Sequence, residues 1–90
     1  MTVLWPNASW LISELNKQGL FAWRGGPRHP DVIYADTGRE WGRQVLITQN
    51  EKGGDWRVEL QVNGTPRRGF LGVPLDEVVP TTLQLLEEEA

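Results

Sequence analysis

Between Asp55 and Asn63 the residues alternate without a break: Trp56, Val58, Leu60 and Val62 are apolar, while Arg57, Glu59, Gln61 and Asn63 are polar. A period of two marks a strand with one dry and one wet face, the pattern of an antiparallel sheet covered on one side only. The alternation ends on Asn63-Gly64, residues that tolerate the positive φ of a type I′ turn, so the chain reverses there. A last strand over Thr65 to Leu71 follows. Pro66 lacks a donor and the Arg67-Arg68 pair resists further pairing, which puts this strand at a sheet edge.

Upstream, the punctuation divides the chain into short elements rather than domains. Asn7 or Ser9 can cap a helix over about residues 8 to 18, with Gly19 in the left-handed position that stops it. Leu11 and Leu15, with Trp10 and Ile12 beside them, give this helix an apolar stripe to lay on a sheet. Leu20 to Arg24 reads as a strand with Phe21 and Trp23 on one side, and Gly25-Gly26-Pro27 ends it. Val32 to Ala35 is a second strand, closed by the Asp36-Thr37-Gly38 turn, and Arg43 to Gln49 is a third. Beyond Pro74 the period returns to helical, with Asp76 as cap, Pro80 in the first turn, and Val79, Leu83 and Leu86 along one face. Glu87 to Glu89 oppose the helix dipole at its end, so packing of Leu83 and Leu86 has to hold it.

The expected architecture is therefore α+β: an antiparallel meander of four to five strands with an N-terminal and a C-terminal helix packed on one face. Trp56, Val58, Leu60, Val45 or Leu46, Phe21 and Trp23 are expected to fill the space between sheet and helices. Ninety residues suffice for a single domain and no more. Met1 to Trp10 shows no positively charged region followed by an apolar run, so a cytoplasmic protein is expected.

Composition excludes several chemistries. The absence of cysteine removes disulfides, thiolate metal sites and cysteine nucleophiles together. One histidine, His29, with Asp31 two residues on is too few ligands for zinc, and no cofactor motif is present. Gly25-Gly26 precedes Pro27 and a loop rather than a helix, so it is a turn and not a phosphate cradle. Ser9 and Ser13 fall on the first helix, where capping and surface roles account for them.

The run Gly19-Leu20-Phe21-Ala22-Trp23-Arg24, then His29, Ile33-Tyr34 and Asp36-Thr37-Gly38-Arg39, resembles HicA-type toxins, small ribonucleases of double-stranded-RNA-binding-like fold. The resemblance covers about residues 11 to 48. It implies a catalytic site in which His29 acts as general acid or base beside Arg24 or Arg28. Pro27-Arg28 stands where that family has Gly-Ser before the histidine, and Pro30 follows where its strand runs on.

The ends of the chain are acidic and its middle is basic. All nine lysines and arginines lie between Lys17 and Arg68, against six acids, while Gly69 to Ala90 carries five acids and no base. Tryptophans 23, 41 and 56 stand close to arginines in this middle stretch, which raises nucleic-acid binding as an alternative. Trp56 is core by its period, however, and Arg57 shares its face with Glu59, which a phosphate track would not want. Trp41 sits in the polar, glycine-flanked stretch Arg39-Glu40-Trp41-Gly42-Arg43, where nothing obvious buries it. A rigid aromatic between bidentate donors is what a protein-binding hot spot looks like. The expected function is a non-enzymatic adaptor or inhibitor, in the manner of immunity proteins and phage-encoded inhibitors. Arg39, Trp41 and Arg43 would hold a protein partner. The edge near Arg67 and Arg68 would offer backbone pairing to that partner or to a second copy of the chain.

Overall fold

The computed structural model describes residues 8–26, 32–39, 42–49 and 54–88. They form helix α1 (Ala8–Lys17), strands β1 (Phe21–Arg24), β2 (Ile33–Asp36), β3 (Arg43–Gln49), β4 (Trp56–Val62) and β5 (Thr65–Val73), and helix α2 (Leu75–Glu88). The strands make one antiparallel meander in the order β1-β2-β3-β4-β5. Both helices lie on the same face, α1 against β1 and β2, α2 chiefly against β3 and β4, and they touch each other.

The alternation in β4 does what its period requires. Trp56, Val58 and Leu60 are buried, Arg57 is exposed, and Val58 and Leu60 pair in register with Ile47 and Val45 of β3, which are also buried. Asn63 and Gly64 take φ of 53° and 80°, the left-handed pair of a type I′ turn, and set the Val62–Thr65 register. The amide of Asn63 also donates to the carbonyl of Gly42 at 2.7 Å. Gly42 has φ 85°, and a Cβ there would collide with the Asn63 side-chain oxygen, so this close approach requires glycine.

Three packing expectations fail, each for a local reason. Phe21 and Trp23 face away from the helices, 61% and 42% exposed. Only Gln18 to Leu20 join α1 to β1, so the helix presses directly on the strand, and its facing positions go to Leu20 and Ala22. Trp10 is 47% exposed, because Leu11 and Leu15 take the buried stripe and Trp10 stands about 100° round the helix from Leu11. In α2 the buried face is Val78, Thr82, Leu85 and Leu86, while Val79 and Leu83 lie at its margin. The helix starts at Leu75, with the Glu77 amide donating to the Pro74 carbonyl, so Asp76 lies within the first turn rather than capping it. Pro80 is consequently the sixth helical residue, in the second turn, and it is exposed, so the Asp76 carbonyl that loses its donor is on the wet side. Thr82 is the one polar side chain in this face, and its hydroxyl donates to the Val78 carbonyl at 2.8 Å.

Trp56 is the largest fully buried side chain, 1% exposed. Trp56→Ala should cost about 3–5 kcal/mol through the cavity it leaves. Urea unfolding of the two proteins measures this, and a loss below about 1 kcal/mol would contradict the packing described.

Candidate functional site

The face of the sheet opposite the helices carries a mixed aromatic and polar surface. In register across the strands lie Trp23, Tyr34, Leu46, Glu59 and Gly69, so an aromatic end passes into a charged middle. The rings of Trp23 and Tyr34 are stacked, with centroids 5.8 Å apart and planes 19° from parallel. Phe21 pairs across from Asp36, and its ring lies against the backbone of Gly38, where any Cβ would collide with it. Gly38 has φ 74° and donates its amide to Asp36 Oδ1 at 2.8 Å, while the Arg39 amide donates to Thr37 Oγ1 at 3.1 Å. The turn that supports Phe21 is thus fixed by its own side chains.

The charged middle is self-contained. Glu59 accepts from Arg57 at 2.6 Å and from Gln61 Nε2 at 2.9 Å. The hydrogen bond from Gln61 holds its carboxyl below the usual range, burial works the other way, and Arg57 lowers it further by hydrogen bond and charge.

The residues singled out from the sequence separate. Arg39 is exposed at the end of the Asp36 turn, where it borders an open groove with Trp23, Asp36, Gln44 and Asn63. Arg67 and Arg68 are exposed on β5, at the sheet edge as expected, and the Arg68 guanidinium sits 5.4 Å over the Phe70 ring. Arg24 is exposed at the end of β1. Trp41, Arg28 and His29 lie outside the described residues.

Arg43 is a correction. It is only 9% exposed, and its guanidinium donates to the Leu86 carbonyl at 2.8 Å. Arg43 starts β3 on the same side as Val45 and Ile47, so the period of two turns it inward, towards the last turn of α2. There it serves a carbonyl that has no partner within the helix and supplies positive charge at the negative end of the dipole. It also borders the groove beside Arg39, with its guanidinium engaged at Leu86.

Sequence reasoning missed Phe21, Trp23 and Tyr34 as surface residues. The signal was present in Ala22 and Ala35, which pair with each other on the helix side. Small residues at alternate positions, next to a helix tied on by a three-residue link, mark the side where backbones approach closely.

Among the described residues, no helix is long and apolar enough to cross a membrane, and no three His, Cys, Asp or Glu side chains cluster as metal ligands would.

Two outcomes follow from this geometry. Arg43→Ala should lower stability by about 1–3 kcal/mol, because it leaves the Leu86 carbonyl without its donor; an unchanged urea midpoint would refute the capping role. The Glu59 carboxyl should titrate below the ordinary carboxylate range in a side-chain NMR experiment, and Gln61→Ala should bring it back up. Since the folded pKa is the lower one, Glu59 contributes stability above its unfolded pKa and loses it as pH falls through the folded value.

The chain matches no protein-family model, no curated protein and no solved structure.

Proposed function

We propose that this chain is a non-enzymatic binding module that holds another protein on the uncovered face of its sheet. The observation that carries this reading is the exposure of Phe21 and Trp23 on a face the helices leave open, with the Phe21 ring against Gly38 and the Trp23 ring stacked on Tyr34. Large aromatics immobilised before contact lose little freedom on binding, which is why such residues dominate interface energies. Arg39 stands at the rim of the same surface, so the Asp36 turn extends it. This fits an adaptor or inhibitor acting in the cytoplasm.

Charge favours protein over nucleic acid as the partner. A phosphate chain crossing this face would meet Asp36 and a Glu59 that stays ionised, while Arg57 is engaged by Glu59 and Arg39 stands at the rim. The ribonuclease reading depends on His29, which lies outside the described residues. The hydroxyls of Ser9 and Ser13 sit on α1, in the opposite layer from the aromatic face.

A pull-down from the native host, with nuclease present and at low and high salt, tests the proposal. Trp23→Ala should reduce recovery of the partner about ten-fold or more while lowering the unfolding free energy by no more than the ~0.5–1.5 kcal/mol of its stacking on Tyr34. Recovery that requires nucleic acid, or that survives in Trp23→Ala, would show the proposal to be wrong.

A further inference from the structure

We infer that the chain forms a symmetric dimer through its β5 edge, with Arg67 of each copy reaching the Asp55 carboxylate of the other. Strand β5, nine residues long, ends the sheet and pairs only with β4, so its outward main-chain groups face away from the sheet, where another strand can add. Thr65 to Gly69 are exposed, and Leu71, at 78% exposure, is the least covered large apolar side chain among the described residues.

Two opposite charges on this edge lack a counterpart. Asp55, at the entry to β4, has Oδ1 buried without a hydrogen bond. Its Oδ2 lies 3.8 Å from where a Cβ on Gly72 would stand, so the glycine leaves the carboxylate uncovered on the β5 side. Arg67 is exposed and forms no hydrogen bond or ion pair among the described residues. The two cannot meet within one chain, because Arg67 and Gly72 stand about 17 Å apart along β5 at ordinary strand rise.

A two-fold axis normal to the sheet at Gly69 brings them together. Antiparallel pairing about that axis sets Arg67 opposite Leu71, and Arg68 opposite Phe70, of the second copy. These even spacings keep opposed side chains on one face, as the pleat requires. The aliphatic stem of Arg67 then lies on Leu71, with its guanidinium beside Gly72 and Asp55. Symmetry makes the contact twice.

The features that guard this edge also choose its partner. Proline, bulges and exposed arginines keep strands of arbitrary sequence from adding. Here Pro66 has no donor, and the β4–β5 ladder slips between Trp56 and Val58 and between Leu60 and Gln61. A second β5 running antiparallel meets the arginine pair with Phe70, Leu71 and Gly72, which carry no base and have Asp55 behind them. Pro66 falls opposite Gly72, near the end of the paired stretch, where a missing donor removes one bond. A basic strand, or a register that sets arginine against arginine, is refused by like charge. The inference is separate from the protein-binding reading, since Phe21 and Trp23 lie on the strand at the far edge of the sheet.

Sedimentation velocity of the full chain from about 1 µM to about 1 mM tests it, and a reversible monomer–dimer equilibrium that weakens at high salt is expected. Arg67→Glu and Asp55→Lys should each weaken association about ten-fold or more. An equimolar mixture of the two variants should restore the dimer, because each introduced charge then faces its opposite and the native pair forms once. Arg67 is exposed, so Arg67→Glu should keep the parent's urea midpoint, which separates lost contact from lost fold. If Asp55→Lys does not fold, Asp55→Asn takes its place, with association weakened about three-fold or more. Amide shifts that change with concentration should centre on Arg67 to Gly72. A chain that stays monomeric throughout, a dimer indifferent to Arg67→Glu or Asp55→Asn, a mixture of folded variants that fails to associate, or shifts centred on Phe21 and Trp23 would overturn the inference.

Discussion

Two helices of 10 and 14 residues have five strands to cover, and they cover one face. Every later feature depends on that shortage of helix. The residues that meet α1 and α2 form a single apolar layer from Leu11 and Leu15 through Ile33, Val45, Ile47, Trp56, Val58 and Leu60 to Val78 and Leu85. The alternate residues of the same strands are left in water by the geometry of a pleated sheet, whatever their chemistry. On β4 those residues are the exposed Arg57 and the half-buried Glu59 and Gln61, polar groups that water accepts readily. On β1 they are Phe21 and Trp23, which it does not. Exposed aromatics and a paired ion group thus share one face, and their contrast is what makes it a candidate for binding.

The join between layers is made partly by one charged side chain. Arg43 enters the core side at the start of β3 and satisfies the carbonyl of Leu86 in the last turn of α2. The sequence places Glu87 to Glu89 at that end, where negative charge opposes the helix dipole. Packing by Leu86 and Leu85 contributes to holding the end down, and the guanidinium adds a donor and a positive charge where both are wanted. A residue that composition suggests as an interface arginine is therefore committed to the fold.

Legibility tracked the strength of local signals. The β4 period, the Asn63-Gly64 turn and the Asx turn at Asp36 were readable because each is decided by residues adjacent in sequence. The boundaries of β3, Arg43–Gln49, followed from the same punctuation, while the other strands start or end one or two residues away from their expected limits. The orientation of β1 was not readable from hydrophobicity, since its larger apolar residues point outward and its smaller one, Ala22, points in. Distance of approach decided that case, and approach is set by the short α1–β1 link, a tertiary matter. Likewise α2 rotates by about one residue from the stripe its leucines suggest, because Thr82 can be buried once its hydroxyl bonds to Val78. The candidate surface was legible only at its rim, in Arg39, and the aromatic centre followed from the correction to β1.

Rigidity connects the turn chemistry to the use of the surface. An exposed phenylalanine on an edge strand would ordinarily sample several rotamers, and a partner would have to select one. Here Gly38 lets the chain pass directly beneath the Phe21 ring, and Gly38 adopts φ 74° with its amide held by Asp36. Asp36 in turn stands opposite Phe21 in the β1–β2 register. The strand pair sets the turn, the turn supports the ring, and Tyr34 supports Trp23 on the same two strands. Both rings of β1 on this face are thus backed by the neighbouring strand and its turn, Phe21 by Gly38 and Trp23 by Tyr34.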